Sequence, residues 1–155
     1  MMKHLWAGNF IDDQELETSL TQLDSEAMAN LALDFKLDHL FLACGKLLNE
    51  LDRSNQLNDE IVLYLEVDNL KLKLERELNS TTPFDFIRPS LKDNIYEAYR
   101  PLGVLVHILP SNADSLVFLS ALEGLLTGNI NILKVGSKSG NAHYYMDLLR
   151  RLAEF

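Results

Sequence analysis

The 155 residues are enough for one domain with a buried core, and the hydrophobic fraction of 47% and charged fraction of 24% are those of an average soluble protein. The net charge of −9 falls on residues 1–80, which hold 16 acidic and 7 basic side chains, whereas residues 81–155 hold seven of each. The chain has no basic stripe, so nucleic-acid binding is disfavoured as its main task, and the acidic first half disfavours docking on anionic membranes.

Cysteine content and the first residues indicate the compartment. The single cysteine, Cys44, excludes an internal disulfide and is typical of a reducing cytoplasm. The first residues run into Asp12 and Asp13 without a long apolar segment, so we expect no signal peptide. No stretch reaches the ~18 consecutive apolar residues of a spanning helix. We therefore expect a cytoplasmic protein without a membrane span.

The first half of the chain has helical periodicity. One helix is predicted over 25–33, and a second begins after Asp34 as its N-cap. The second has the 3, 4, 7 spacing of an apolar stripe, formed by Leu37, Leu40, Phe41, Cys44, Leu47, Leu48 and Leu51. Residues 52–55 interrupt the pattern. A third helix is predicted over 59–78, with one apolar face formed by Leu70, Leu74 and Leu78.

Strand patterns begin after a loop at 79–83. Residues 95–100 are predicted to form a strand, and 101–103 a turn. Residues 104–109 are almost continuously apolar, as expected of a strand covered on both faces. Pro110-Ser111-Asn112 ends this strand.

The remaining elements alternate between helix and strand. An apolar helix is predicted over 116–126, closed by Gly128 as its C-terminal glycine. A strand over 130–135, a loop over 136–140 and a last helix over 142–155 follow.

The order strand, helix, strand, helix with short loops is typical of a right-handed βαβ unit. We therefore predict an α/β fold in which N-terminal helices precede a partial parallel nucleotide-binding sheet. Residues 1–93 would form the helical region and 94–155 the partial dinucleotide-binding domain. Ligands of open α/β sheets bind at the carboxyl ends of the strands, here the loops 109–114 and 135–140. Backbone N–H groups at the start of each following helix would offer a site for a phosphate or an oxyanion.

Two segments at this separation resemble the aldehyde dehydrogenase superfamily. The first runs from Pro101-Leu102-Gly103-Val104 to Ile108-Leu109-Pro110-Ser111-Asn112, and the second is Leu126-Thr127-Gly128-Asn129-Ile130-Asn131-Ile132-Leu133-Lys134. They are similar to that family's Pro-x-Gly-Val strand, apolar-Pro-x-Asn turn and Gly-Asn-apolar-x-apolar-x-Lys strand. With His107 in the first strand, the form is most similar to the fatty acyl-CoA reductases of bacterial bioluminescence.

This resemblance implies an NADPH-dependent acyl-CoA reductase that accepts an acyl group from acyl-CoA on a cysteine and reduces it to an aldehyde. The family's nucleophilic cysteine lies well downstream of the strand that ends at Lys134. We therefore expect a truncated aldehyde dehydrogenase-like fold, an N-terminal fragment that is inactive alone. Cys44 lies on the apolar stripe of its helix and is interpreted as a buried hydrophobic residue.

The resemblance also assigns residues. Asn112 resembles the oxyanion-hole asparagine; taken alone, it would be interpreted as the cap of the following helix. Lys134 resembles the lysine that holds the adenosine ribose of the cofactor. Where NAD-preferring members often carry a glutamate this chain has Ser137, and Lys138 can pair with a 2′-phosphate, so NADPH is expected over NADH, with NADH still possible. The same cofactor wall would include Leu109, Pro110 and Ser111.

Some positions depart from the family or carry no chemistry. Ser111 replaces the usual bulky residue before the asparagine, and Val135 replaces the usual proline after the lysine, which suits a divergent reductase branch. His107 is interpreted as a core residue. The other histidines have no metal-ligand spacing, so no metal site is expected.

Two alternatives remain open. The chain could belong to another enzyme of the superfamily, a CoA-acylating aldehyde dehydrogenase or a glutamyl-phosphate reductase, or it could be a non-catalytic interaction module. Because a sheet cut after two strands has unpaired edges, we also expect a homo-oligomer. The acyl chain length cannot be derived from these residues.

Overall fold

The computed structural model describes residues 4–84, 88–89, 96–136 and 140–155. These residues form seven α-helices, one 3-10 turn and three two-stranded sheets. The mixed α/β class predicted from the sequence is confirmed.

An antiparallel hairpin precedes the first helix and was not predicted. Strands β1 (His4–Trp6) and β2 (Asn9–Ile11) pair around a turn in which Ala7 and Gly8 both have positive φ, at 46° and 80°. A two-residue hairpin turn of type I′ requires positive φ at both of its central residues. Glycine adopts positive φ readily, whereas alanine does not. Because alanine is uncommon at positive φ, the residues Ala7-Gly8 do not indicate this turn in the sequence.

Two short helices follow, each capped by an aspartate. Helix α1 (Asp13–Thr21) begins at Asp12, which forms a capping box with Glu15. Helix α2 (Ser25–Leu33) has the predicted bounds, and the exposed carboxylate of Asp24 accepts from the first two backbone N–H groups that follow Ser25.

The remaining N-terminal helices are α3 (Leu37–Glu50), α4 (Asp59–Leu65) and α5 (Val67–Leu78), with a 3-10 turn at Gln56–Asn58. The prediction that Asp34 caps α3 is wrong, because Asp34 ends α2 and α3 begins after Lys36 without a side-chain cap. The single helix predicted over 59–78 is in fact two helices. The backbone of Glu66 is extended, so the helix is interrupted between α4 and α5.

A second antiparallel pair joins β3 (Arg88–Pro89) to β4 (Tyr96–Glu97). The strand predicted over 95–100 is therefore shorter than expected: residues 98–100 are not in a strand, and residue 95 lies outside the described residues.

The predicted βαβ unit is present, with β5 (Val104–Ile108), α6 (Leu116–Leu126), β6 (Ile130–Lys134) and α7 (Ala142–Ala153). Strands β5 and β6 are parallel, and their register runs from Val104 opposite Ile130 to Ile108 opposite Lys134. Gly128, with φ 70°, follows the end of α6 as predicted.

The expectation that β5 is covered on both faces is wrong for the described residues. Burial alternates along the strand: Leu105 and His107 are half-buried, whereas Val106 is 65% and Ile108 79% exposed. Helix α6 packs against the parallel pair, and the side chains that alternate with Leu105 and His107 remain exposed.

The hydrophobic core lies between helices rather than on the sheet. Helix α6 packs against β6 and also against α3, α4 and α7, while α7 packs against α6 and α3. The most buried side chains include Leu47, Ile61, Phe118, Leu122 and Leu148. Polar bonds reinforce this packing, since the hydroxyls of Tyr144 and Tyr145 on α7 donate to the Asn58 side chain and to the Leu57 carbonyl. The result is a helix layer between the sheet and the N-terminal helices.

The approach of α6 to the sheet depends on Gly124. A β-carbon added there would lie 1.7 Å from Oδ1 and 2.6 Å from Cγ of Asn131 on β6. The Asn131 side chain is itself held, because it donates to the Asn129 carbonyl and its Oδ1 lies 2.9 Å from Nε2 of His107. The absence of a side chain at position 124 therefore sets the spacing between helix and sheet.

We predict that Gly124→Ala lowers the free energy of unfolding by about 1–3 kcal/mol, because the methyl group overpacks this contact. Gly45→Ala on α3 is the matched control: nothing lies within 4 Å of its β-carbon position. That variant is expected to gain about 0.5–1 kcal/mol from the higher helix propensity of alanine. Urea unfolding of both variants measures the difference, and an equal gain for both would contradict the proposed contact.

Candidate functional site

The candidate site lies at the carboxyl edge of the parallel pair. The backbone N–H of Leu109 donates to the carbonyl of Lys134 at 3.0 Å, so the two strands end side by side. The loop after β5, which carries Asn112, and the loop after β6 therefore begin at the same edge of the sheet.

The two loops also touch directly. A β-carbon at Gly136 would lie 2.8 Å from Cβ and 3.1 Å from Cα of Ser111, so only glycine permits this contact. Farther along, Oδ2 of Asp114 accepts a hydrogen bond of 2.7 Å from the backbone N–H of Asn141, the residue before α7. The loop after β6 is thus attached at both ends to the loop after β5.

Asn112 lies between these two attachments. Its side chain is exposed and makes no hydrogen bond within the described parts of the chain. It does not cap α6, because Ser115 holds the N-cap position and Leu116 is the first helical residue. No described residue therefore competes with a ligand for the N–H groups of this amide.

The start of α6 does not offer the expected anion site. The first three N–H groups of the helix, on Leu116, Val117 and Phe118, already donate to the carbonyls of residues 113–115. At the start of α7, the carboxylate of Asp114 occupies the place near Asn141 where an anion would be expected.

The predicted cofactor residues differ in exposure. Lys134 is exposed at the end of β6 and makes no ion pair with any described side chain. Pro110 and Ser111 are exposed, and Leu109 is half-buried against the core. Ser137 and Lys138 lie outside the described residues.

Other residues of the two motif segments form hydrogen bonds at the opposite, amino edge of the sheet. The buried side chain of Asn129 accepts from the N–H of Gly103 at 3.0 Å and donates to the carbonyl and hydroxyl oxygens of Thr127. These bonds join the end of α6 to the start of β5. His107 bonds Asn131, but it is only half-buried and lies on the sheet outside the core, so its interpretation as a core residue is wrong.

Cys44 is unsuited to nucleophilic chemistry. Its side chain is 0% exposed on the inner face of α3. Burial raises the pKa of the thiol from 9.0 to about 12, so the reactive thiolate is negligible near neutral pH. The interpretation as a small buried hydrophobic residue is confirmed.

Neither a metal site nor a membrane-spanning helix is found among the described residues. In the part of the chain that it describes, no group of three His, Cys, Asp or Glu side chains is placed to hold a metal ion. Likewise, none of the described helices combines the length and the apolar character needed to cross a bilayer.

Comparison with known proteins gives one result. A family model described as "Acyl-CoA reductase (LuxC)" matches residues 17–154, which is almost the whole chain. Searches of curated proteins and of solved structures gave no match. The match extends well beyond the motif region at 95–140 into the N-terminal helices.

We predict that Cys44 makes stability depend on alkaline pH. The unfolded thiol ionises above pH 9, whereas the folded thiol keeps its proton up to about pH 12. Its contribution is therefore fully present below pH 9, decreases by about 1.4 kcal/mol per pH unit above it and is lost once the pH passes the folded pKa. Urea unfolding between pH 8 and pH 10.5 should show a steeper loss than in Cys44→Ala.

The same burial predicts slow chemical modification. At pH 8 a disulfide reagent should label native Cys44 far more slowly than it labels the unfolded chain. Equal labelling rates, or equal pH slopes for the two variants, would contradict the burial of this thiol.

Proposed function

We propose that this chain, which belongs to the acyl-CoA reductase (LuxC) family, takes part in the NADPH-dependent reduction of a fatty acyl thioester to an aldehyde. One observation carries the proposal beyond family membership. The Asn112 amide is exposed and unbonded among the described residues, at the edge of the sheet where β5 and β6 end together. That is where an open α/β sheet binds its ligands.

The reaction has two chemical stages. An acyl thioester such as acyl-CoA exchanges its coenzyme A thiol for an enzyme thiol, and the enzyme-bound thioester is then reduced to the aldehyde, which frees the thiol again. Cys44 is not proposed as that thiol, because it is buried and protonated. In this reaction the chain would bind the cofactor and stabilise the reacting oxygen.

Asn112 would act on the carbonyl oxygen of the acyl group. In both stages this oxygen gains negative charge as the carbon becomes tetrahedral. The side-chain amide can donate to it without first breaking a hydrogen bond with any described residue. A donor that is already in place costs no reorganisation when the charge develops, which makes such groups effective.

The proposed cofactor is a dinucleotide bound at this edge. The ammonium group of Lys134 is exposed at the strand end and can bond the ribose hydroxyls, while Gly136 allows the loop backbone to lie close to Ser111. Leu109 and Pro110 would complete the wall. When bound, NADPH would supply the hydride for the second stage.

The preference for NADPH is a further proposal. Ser137 carries no charge that would repel a 2′-phosphate, and Lys138 carries one that would attract it. NADH would then bind more weakly without being excluded. We also propose that the protein forms homo-oligomers, an idea supported by the exposed aliphatic side chains of β5.

We predict that Asn112→Ala, introduced into the protein that also carries the nucleophilic cysteine, lowers kcat for reduction of a long-chain acyl-CoA by about 10²–10³-fold, because the transition state loses one oxyanion donor. NADPH consumption measures the rate. The affinity for NADPH, followed by nucleotide fluorescence, should change little. Asn49→Ala on α3, another exposed asparagine without a hydrogen bond to described residues, is the control and should keep full activity. A kcat unchanged in Asn112→Ala would exclude the proposed role.

We predict that Lys134→Ala weakens NADPH and NADH alike, by about 10-fold or more, since both carry the adenosine ribose. Lys138→Ala should weaken NADPH alone, since only that cofactor carries the 2′-phosphate. Fluorescence titration gives both dissociation constants for each variant. Equal wild-type affinities for the two cofactors would refute the NADPH preference.

A further inference from the structure

We propose that a pocket at the amino edge of the parallel pair binds a small carboxylate with an apolar body, such as a medium-chain fatty acid. The pocket has a volume of about 250 Å³. The described residues that line it are Ala32, Phe35, Phe84, Arg100, Pro101 and Gly128. Pro101 and Gly128 precede the strands β5 and β6, so the pocket lies at the end of the sheet opposite Asn112. The proposed function gives this pocket no part, and the inference therefore goes beyond it.

The burial of the lining residues gives the pocket a mouth and a floor. Arg100 is exposed, whereas Ala32 and Gly128 are buried. The two phenylalanines and the proline are half-buried and lie between these extremes in exposure. A ligand with one charged end would therefore place that end at the mouth, beside Arg100, and its apolar body toward the floor.

The space at the floor depends on the glycine at 128. A β-carbon there would lie 2.9 Å from Cγ of Pro101 and 3.7 Å from Cδ1 of Phe35, and both of these residues line the pocket. Because Gly128 has no side chain, the space between the proline ring and the phenyl ring stays open. The same residue has a φ of 70°, which a larger residue would adopt only with strain.

Arg100 determines the charge of the ligand. Its guanidinium donates one hydrogen bond, from Nη1 to the Tyr99 carbonyl at 3.0 Å, and forms no ion pair with a described side chain. The planar guanidinium matches the two oxygens of a carboxylate. Arg100 is the one charged side chain among the described lining residues, so a single negative charge is the best complement.

The other lining side chains determine the body of the ligand. Apart from Arg100, none of the described lining residues has a side chain that can form a hydrogen bond. A polar body would lose its bonds to water without replacement, whereas an alkyl chain would not. The volume is below the ~300–1,000 Å³ of pockets that enclose drug-sized ligands, which favours a short chain.

The distance between the two edges makes this pocket independent of the proposed cofactor site. Strand β5 has five residues, and at about 3.3 Å per residue it separates the edges by roughly 16 Å. A carboxylate bound beside Arg100 should therefore not compete with NADPH.

The test is calorimetric titration of the full chain with octanoate, with octanol and acetate as probes that lack the charge or the alkyl chain. Octanoate should bind at least 10-fold more tightly than either. Arg100→Ala should raise the dissociation constant for octanoate about 10-fold, the equivalent of about 1.4 kcal/mol. Arg53→Ala is the matched control, because Arg53 is also exposed and has no ion pair with a described side chain, and it should bind octanoate like wild type.

Several results would overturn the inference. It is wrong if octanoate does not bind, if octanol binds as tightly as octanoate, or if Arg100→Ala and Arg53→Ala have the same affinity. Displacement of octanoate by NADPH would place the ligand at the carboxyl edge and would also refute it. None of these results bears on the proposed function, which fails separately if the wild-type protein binds neither NADPH nor NADH.

Discussion

The βαβ unit depends on one polar contact, the packing of Asn131 against Gly124. The side-chain amide of Asn131 on β6 packs against Gly124 of helix α6, bonds the His107 ring on β5 and donates to the turn at Asn129. One side chain therefore connects three elements. Half-buried polar groups favour a single arrangement only when they are satisfied, and this one is satisfied on both its oxygen and its nitrogen. This contact holds α6 against the parallel pair, whose two strands end side by side where the loops of the candidate site begin.

The two edges of the parallel pair differ in how their polar groups are used. At the amino edge, the Asn129 side chain is buried and bonds Gly103 and Thr127. At the carboxyl edge, Asn112 and Lys134 are exposed, and neither is bonded or paired through its side chain to a described residue. The motif asparagines at 129 and 112 are therefore not equivalent: the first stabilises the fold, whereas the second makes no side-chain hydrogen bond to a described residue. Conversely, the contacts that hold the carboxyl edge together involve Ser111, Gly136 and Asp114, which the motif does not single out as structural.

Sequence reasoning succeeded where a pattern was long and local. Helix α6 was predicted with its observed bounds, because an apolar run closed by Gly128 has few other solutions. It failed where the outcome depended on tertiary context. The break at Glu66 interrupts an otherwise continuous helical pattern, and the bond from Asp114 to Asn141 joins residues that no local pattern connects. In the candidate site, the motif could indicate Asn112 and Lys134, but the contact of Ser111 with Gly136 requires coordinates. Burial of β5 on both faces was inferred from its apolar content. Apolar content indicates that the side chains favour burial, but it does not show which elements cover them.

The uneven charge of the chain is compatible with a phosphorylated ligand at this edge. All of the net charge of −9 lies in residues 1–80, and helix α6 contacts β6 as well as the N-terminal helices α3 and α4. One helix layer is about 10 Å thick, whereas charges are screened over roughly 8 Å at physiological ionic strength. The acidic side chains of α3 and α4 should therefore contribute little repulsion at the carboxyl edge. Among the described residues of the two loops, the carboxylate of Asp114 is the one acidic group, and it lies at the N-terminus of α7, where the helix dipole offsets part of its charge. Among the described residues, the local charge at the site is thus set by Lys134 and Asp114 rather than by α3 and α4.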